Sequence, residues 1–343
     1  MRLWIHPLNE NDLRQCLRIA TGATLGFTFS KYFGWDFGVF FTVVPMLLLG
    51  MIPVLNGHIA RQVIASAVIC TLEVGLLGGL FGSHPGMMTC IALLLFLSKF
   101  ACMARGPLFL FGANSVLNLS IMLHFASYST TDINDMISCN MVANILAIGI
   151  AYLMHYLIPD VTPRQLPPPS EPKQSHRFRH ETLLGTGVAT LSFLVFQTLN
   201  LSDSMSAQST SLLLLFPMNW NGALGYARKR AMGTILGVVF GLSCQILLYD
   251  RSNQLVLVIP LLWIGTMLFG YLHMKEASGS GVGFGGLTTL GILFGQYLTP
   301  TSDLTFNALY RISSILFAIV ATLIATYLIH RILNNIEATK YGH

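Results

Sequence analysis

Twelve stretches of about 20 mostly apolar residues follow one another along the chain. Each is the length a helix needs to cross the ~30 Å hydrocarbon core of a bilayer at 1.5 Å per residue. Reading the apolar runs between polar, Gly and Pro breaks predicts spans at 13–33, 37–55, 60–82, 86–104, 107–127, 134–158, 182–201, 205–222, 229–249, 254–274, 281–299 and 304–332. The loops between them are short. Composition agrees: 53% of the residues are hydrophobic and 10% charged, where soluble globular chains carry roughly 25% charged residues. The expected fold class is therefore all-α, a polytopic membrane protein with about twelve transmembrane helices.

Charge placement gives the orientation. An even number of spans puts sixteen of the nineteen Lys and Arg residues on the side of the N-terminus and leaves Lys31, Arg251 and Arg311 opposite. By the positive-inside rule both termini are expected in the cytoplasm. The net charge of +5 is spread in ones and threes, with no basic stripe interleaved with aromatics, so nucleic acid is not an expected partner. The six cysteines show no C-x-x-C spacing and fall mostly inside apolar runs, where they read as small hydrophobes. No metal site and no cofactor is expected. The first apolar run starts late and carries Arg18, so no cleavable signal is expected either.

The segment 159–181 breaks the pattern, with Pro163, Pro167, Pro168, Pro169 and Pro172 among Arg, Lys, Ser and Gln. It reads as an extended cytoplasmic linker. The expected division is a first six-helix membrane repeat over 1–158, the linker, a second repeat over 182–333, and a cytoplasmic tail over 334–343. Three local pairs suggest that the halves are related: Thr21-Gly22 with Thr186-Gly187, Pro45-Met46 with Pro217-Met218, and Tyr152-Leu-Met-His155 with Tyr327-Leu-Ile-His330. They recur in the same order at similar spacing. An even number of helices in each half makes these parallel repeats.

The clearest motif is Pro217-Met-Asn-Trp-Asn-Gly222, followed by Arg228-Lys-Arg230-Ala-Met-Gly233-Thr234-Ile-Leu-Gly237. An apolar helix is expected to end at the Pro–Gly segment and a new one to open on the basic cluster. Gly233 and Gly237, spaced i, i+4, suit close helix contact. This R-x-x-G-T-x-x-G segment resembles that of the fusaric acid resistance and aromatic acid exporter family of bacterial inner-membrane proteins. There it opens the third helix of a six-helix unit. The first half holds a degenerate version, Asn56-Gly57, Arg61-Gln62 and Ala65-Ser66. The resemblance implies export of small organic acids, often aromatic, together with a periplasmic adaptor of the membrane-fusion type. Because family members often carry large cytoplasmic domains, this chain is expected to be a compact, membrane-only relative.

Ionisable groups at bilayer depth cost ~2.5–3.5 kcal/mol each at a helix centre, so each is a candidate. Glu73 lies deep in the third span, and Lys99 of the fourth is its natural partner; the two read as an ion pair or as a proton-coupling site. Arg311 and Arg18 are candidates for receiving a substrate carboxylate, against anchoring at the two surfaces. Asn114 with Asn118, and Asn140 with Asn144, share helix faces at i, i+4 and read as a polar path or as interhelical glue. His155 and His330, each following a Tyr by one turn, read as structural residues at helix ends. The Gly-rich run 278–286 reads as a broken helix or as a turn followed by tight packing.

No H-E-x-x-H, G-x-S-x-G or P-loop pattern occurs, so catalytic residues are not expected. The leading expectation is an ion- or potential-driven efflux permease, not an enzyme. Its expected partners are a small organic anion, the lipid bilayer, an adaptor and further copies of itself in a homo-oligomer. The open alternatives are a membrane-embedded enzyme and a non-transporting scaffold of an adaptor or secretion complex.

Overall fold

The computed structural model describes residues 7–82, 84–126, 132–164, 173–199, 205–248, 251, 253–276, 281–297 and 304–341, with the side chains of 296, 297, 304–309 and 311 left aside. Within them the chain is helical. Its elements are α1 (Glu10–Tyr32), α2 (Gly38–Met51), α3 (Gly57–Phe81), α4 (Pro85–Ala104), α5 (Phe109–Ala126), α6 (Ile133–Leu157), α7 (Ser175–Thr198), α8 (Met205–Leu213), α9 (Trp220–Leu248), α10 (Leu255–Lys275), α11 (Val282–Ile292) and α12 (Leu304–Asn334). Among the described residues, seven helices are long and apolar enough to cross a membrane: α3, α4, α5, α6, α9, α10 and the Ile312–Asn334 part of α12. Their outer faces are apolar too. Leu72, Leu76 and Leu80 stand one turn apart on α3 and are 59, 62 and 68% exposed. In water such a stripe would be an aggregation hazard, whereas in a bilayer it is the lipid-facing surface. The protein is thus read as a multi-pass membrane protein.

Local chemistry sets several helix ends. Asn9 and Asp12 form a capping box that starts α1 at Glu10, three residues ahead of the apolar run. α8 stops after nine residues, about 13 Å at 1.5 Å per residue, instead of running on to 222. Residues 214–217 form a turn, and Met218 takes a left-handed conformation with φ 57°. The Asn219 side chain then accepts the Gly222 N–H at 2.7 Å and starts α9 at Trp220. Arg228 to Arg230 consequently sit inside α9 rather than opening it. α11, eleven residues long, is also too short to cross alone and runs into a π-helical turn, Leu293–Tyr297.

The chain forms two compact units. The first comprises Met1–Gly57, Ser138–Leu166 and Arg228–Ser313, the second His58–Ile137, Pro167–Ala227 and Ser314–His343. Each draws helices from both sides of the Pro-rich segment. In the first unit α11 is buried on all sides, with Phe269 of α10 against Gly286 and Val43 and Met46 of α2 against Gly291. α1 packs on α2 and α10 there, and Trp263 Nε1 donates to Thr21 Oγ1 at 3.2 Å. In the second unit α7 packs on α8 and α4, with the Phe100 ring seated on Gly185 and Phe96 edge-on to Phe193. Gln208 of α8 donates to the Ser120 carbonyl of α5 at 2.8 Å.

Candidate functional site

Lys99 Nζ lies 2.5 Å from Glu73 Oε1, and the Lys99 ammonium also sits over the Phe111 ring. α3 and α4 are therefore tied by an ion pair whose Lys side is buried. Arg18, 1% exposed, pairs with Asp160 in the segment that follows α6. That segment is pinned along the start of α1: Asn11 Nδ2 donates to the Thr162 carbonyl at 2.8 Å, Arg14 donates to the Pro159 carbonyl at 2.6 Å, and Arg164 reaches Gln15 and Asp12. Residues 159–164 are thus pinned to α1 by hydrogen bonds, while Pro159, Val161, Thr162 and Pro163 stay exposed. Arg311 lies on α12, and its side chain is outside the described residues.

The asparagines bridge polar groups inside the helices. Asn114 Nδ2 donates to Ser66 Oγ of α3 at 2.7 Å, and Asn118 is buried one turn further along α5. Asn140 and Asn144 are fully buried on α6, with Asn144 Nδ2 donating to the Asn140 carbonyl at 2.8 Å. Gln62 adds to these contacts. It donates to the Pro107 carbonyl at 3.0 Å and accepts the Phe111 N–H at 3.0 Å, stapling the start of α5 to α3.

The R-x-x-G-T-x-x-G segment forms the face of α9 that receives α11. A Cβ on Gly233 would collide with the Val282 carbonyl and lie 2.8 Å from Gly285 Cα. One on Gly237 would lie 2.9 Å from Thr289 Cβ. Thr234 and Arg230 are fully buried, and the Arg230 guanidinium donates to Thr288 Oγ1 of α11. The motif residues thus share one contact, in which two glycines admit the backbone of α11 and an arginine bonds it. Near the start of α11, Glu276 accepts the Gly283 N–H at 3.1 Å, and His273 Nε2 donates to the Gly50 carbonyl of α2 at 3.0 Å.

The second unit holds a cavity of about 650 Å³ at the start of α9, within the size range of small-molecule sites. Asn219, Trp220 and Asn221 supply one wall, His330 and Asn334 of α12 another, and Lys340 and Tyr341 a third. Pro217 and Gly222 hold the first wall in shape: Asn219 Nδ2 donates to the Pro217 carbonyl at 2.7 Å while its Oδ1 caps Gly222. Trp220 packs against Tyr327 at 5.3 Å between ring centroids. No carboxylate appears among the described lining residues, whose formal charge is that of Lys340.

Behind this cavity, α7 begins at Ser175, ahead of the expected 182. Glu181 is 2% exposed and paired with both Lys173 and Arg177, which stabilises the added turns. The extra turns carry His180, whose Nδ1 donates to the Thr339 carbonyl at 2.7 Å and whose Nε2 meets His330 Nδ1 at 2.9 Å. His180, Lys340 and Tyr341 were not expected at a site. The pairing of His180 with His330 joins residues 150 positions apart and has no local signature. The Tyr-x-x-His pattern singles out His330, but only as a structural residue at a helix end.

A family described as a protein of unknown function (DUF2955) matches residues 15–154, which run from the first turns of α1 almost to the end of α6. The match ends before the R-x-x-G-T-x-x-G segment. No curated protein matches the chain.

Proposed function

We propose that the chain is an efflux permease of a bacterial inner membrane that exports small organic acids, aromatic ones among them, with both termini in the cytoplasm. The cavity at the start of α9 carries this reading. It offers a lysine, three asparagines and two aromatic rings, with no carboxylate among the described lining residues, a set suited to an anion with a flat apolar body. Lys99, buried in an otherwise apolar α4, fits the use of intramembrane charge by transporters; Arg18 and Arg230 are buried too, on helices that carry further charges beside them. Export of an anion needs no strict proton coupling, since an inside-negative potential favours its exit by ~2.3 kcal/mol per charge per 100 mV. Cooperation with a periplasmic adaptor and assembly as a homo-oligomer belong to the same proposal.

The proposal includes two parallel six-helix repeats, and the packing lists of the two units support it. α1 packs on α2 and α10, α10 on α11, and α11 on α2; α7 packs on α8 and α4, α4 on α5, and α5 on α8. Replacing each helix by its counterpart six positions away turns the first set of contacts into the second, to which the second unit adds a contact of α5 with α7. At residue level, Gly22 of the first Thr-Gly pair faces Met154, while Gly187 of the second faces Ile329. Met154 and Ile329 are the third residues of Tyr-Leu-Met-His and Tyr-Leu-Ile-His. Uptake of radiolabelled benzoate by inside-out vesicles tests the transport reading. Accumulation above vesicles lacking the protein is expected, with Lys340→Gln lowering it; equal accumulation with and without the protein across a panel of aromatic and aliphatic acids would overturn the reading.

A further inference from the structure

A ring of hydrogen bonds begins and ends on the C-terminal segment. The Tyr341 N–H donates to Asn334 Oδ1 at 3.0 Å, and Asn334 Nδ2 lies 3.0 Å from His330 Nε2. His330 Nδ1 lies 2.9 Å from His180 Nε2, and His180 Nδ1 lies 2.7 Å from the Thr339 carbonyl. A carbonyl oxygen only accepts, so His180 carries its proton on Nδ1 and its Nε2 is the acceptor. His330 then donates from Nδ1 and accepts at Nε2 from the Asn334 amide. Both histidines are neutral in this ring, and every donor faces an acceptor. A proton added to His180 Nε2 would face the His330 N–H, and one added to His330 Nε2 would face the Asn334 amide. Either addition sets two donors against each other. The residue between the two anchored positions is Lys340, which lines the cavity together with Tyr341.

We propose that His180 and His330 form an acid-released latch that holds the C-terminal segment as a wall of the cavity at the start of α9. Neutral imidazoles keep the segment docked, and protonation of either frees it and opens the cavity on that side. The surrounding charges fit this assignment. On α7, Glu181 is already committed to Lys173 and Arg177, and Arg177 lies over the Tyr341 ring. On α12, Arg331 follows His330 and is exposed; on the C-terminal segment, Glu337 and Lys340 are exposed. α4 ends on exposed Arg105, five residues beyond Phe100 as His180 is five residues from Gly185. Lys99 of α4 is paired with Glu73. α8 brings no charged residue, and the one titratable group of α5, His124, lies at the end of that helix far along from its start. Burial holds His180 below its ordinary value, with the Thr339 carbonyl and the neighbouring Glu181 carboxylate acting against that. A His whose folded-state pKa is depressed contributes stability at pH above its unfolded value of ~6.5 and loses it as pH falls toward the folded value. The latch is therefore closed at pH 7.5 and loosens as the pH falls below the unfolded-state value of ~6.5 toward the depressed folded-state value.

Backbone amide exchange of residues 335–341 in the purified full chain, corrected for intrinsic rates, tests this at pH 7.5 and 5.5. Protection is expected to fall at pH 5.5, by up to about tenfold for each histidine released, because pH 5.5 lies one unit below the unfolded-state value of ~6.5. The variant His180→Gln with His330→Gln keeps a donor and an acceptor at each position and cannot titrate there. Its segment is expected to stay protected at both pH values, while α3 exchanges as in the parent. Equal protection of the parent at both pH values would overturn the latch. So would an unchanged pH response in the double variant. If the double variant does not fold, His330→Gln alone is expected to halve the titrating set and shift the midpoint, and an unshifted midpoint counts against the proposal. The readout is independent of transport, so loss of vesicle uptake with a working latch would overturn only the permease reading.

Discussion

Adding one methyl group to Gly233 is the sharpest test of how α9 holds α11. The new Cβ would collide with the Val282 carbonyl and lie 2.8 Å from Gly285 Cα and 2.9 Å from the Gly286 nitrogen. Non-bonded heavy atoms rest at about 3.5–4.0 Å, and all three neighbours are backbone atoms that no rotamer change can move. α11 as a whole would have to retreat, yet it is buried on all sides. Overpacking of this kind costs about 1–3 kcal/mol, against which Ala gains about 0.5–1 kcal/mol over Gly within a helix. The net expectation is a loss of about 0–2.5 kcal/mol. Gly225 is the control on the same helix, because a Cβ there meets nothing within 4 Å. Gly225→Ala should therefore gain the helix term alone. Gly237→Ala should fall between them, since its neighbours at 2.9 and 3.0 Å belong to the Thr289 side chain. Thermal unfolding of the purified full-length variants in detergent measures the order. A Gly233→Ala protein that melts at or above Gly225→Ala would refute the packing argument.

Glu73→Gln should destabilise by about 3–5 kcal/mol if it strands a buried Lys99, and adding Lys99→Met should restore the melting temperature; a stable but transport-inactive Glu73→Gln would assign proton coupling to Glu73 instead. Arg18→Gln should cost more than Arg14→Gln, because Arg18 pairs with Asp160 while buried and Arg14 pairs with Glu10 on the surface, where an ion pair contributes about 0–1 kcal/mol; equal melting temperatures would contradict this. A cysteine at the exposed Ser175 should be labelled by an impermeant thiol reagent from the cytoplasmic side alone, and labelling from outside in intact cells would reverse the topology.

The long apolar helices were legible because hydropathy counts residues against a bilayer thickness, and α3, α4, α6 and α10 begin and end within three residues of the expected bounds. The end of α8 was not legible in that way. Leu212 to Phe216 is as apolar as any span, and the helix stops there through a turn at Met218 and the Asn219 cap. The start of α7 was hidden for the opposite reason. Residues 175–181 are polar enough to read as linker, and they become helical through Arg177–Glu181 pairing and the docking of His180 on the C-terminal segment. The ion pair of Glu73 with Lys99 could be guessed, because both lie on neighbouring hairpin helices. The mates of Arg18 and His180 lie 142 and 150 residues away, and no periodicity in a single sequence encodes such a match.

The exchange of helices between the two halves has a consequence for biosynthesis. α1 packs against α10, roughly 220 residues later in the chain. At about 5–20 residues per second, the ribosome needs on the order of 10–45 seconds to deliver that neighbour. Through this interval the α10-facing side of α1, with Cys16 and Thr21, has no native mate and must be shielded by lipid, by the insertion machinery or by a transient contact. Neither half alone is a folding unit on this plan. Coexpressed as separate polypeptides cut within 165–172, however, the halves retain every pairing that each compact unit needs, so a severed chain should assemble where a truncated one is degraded.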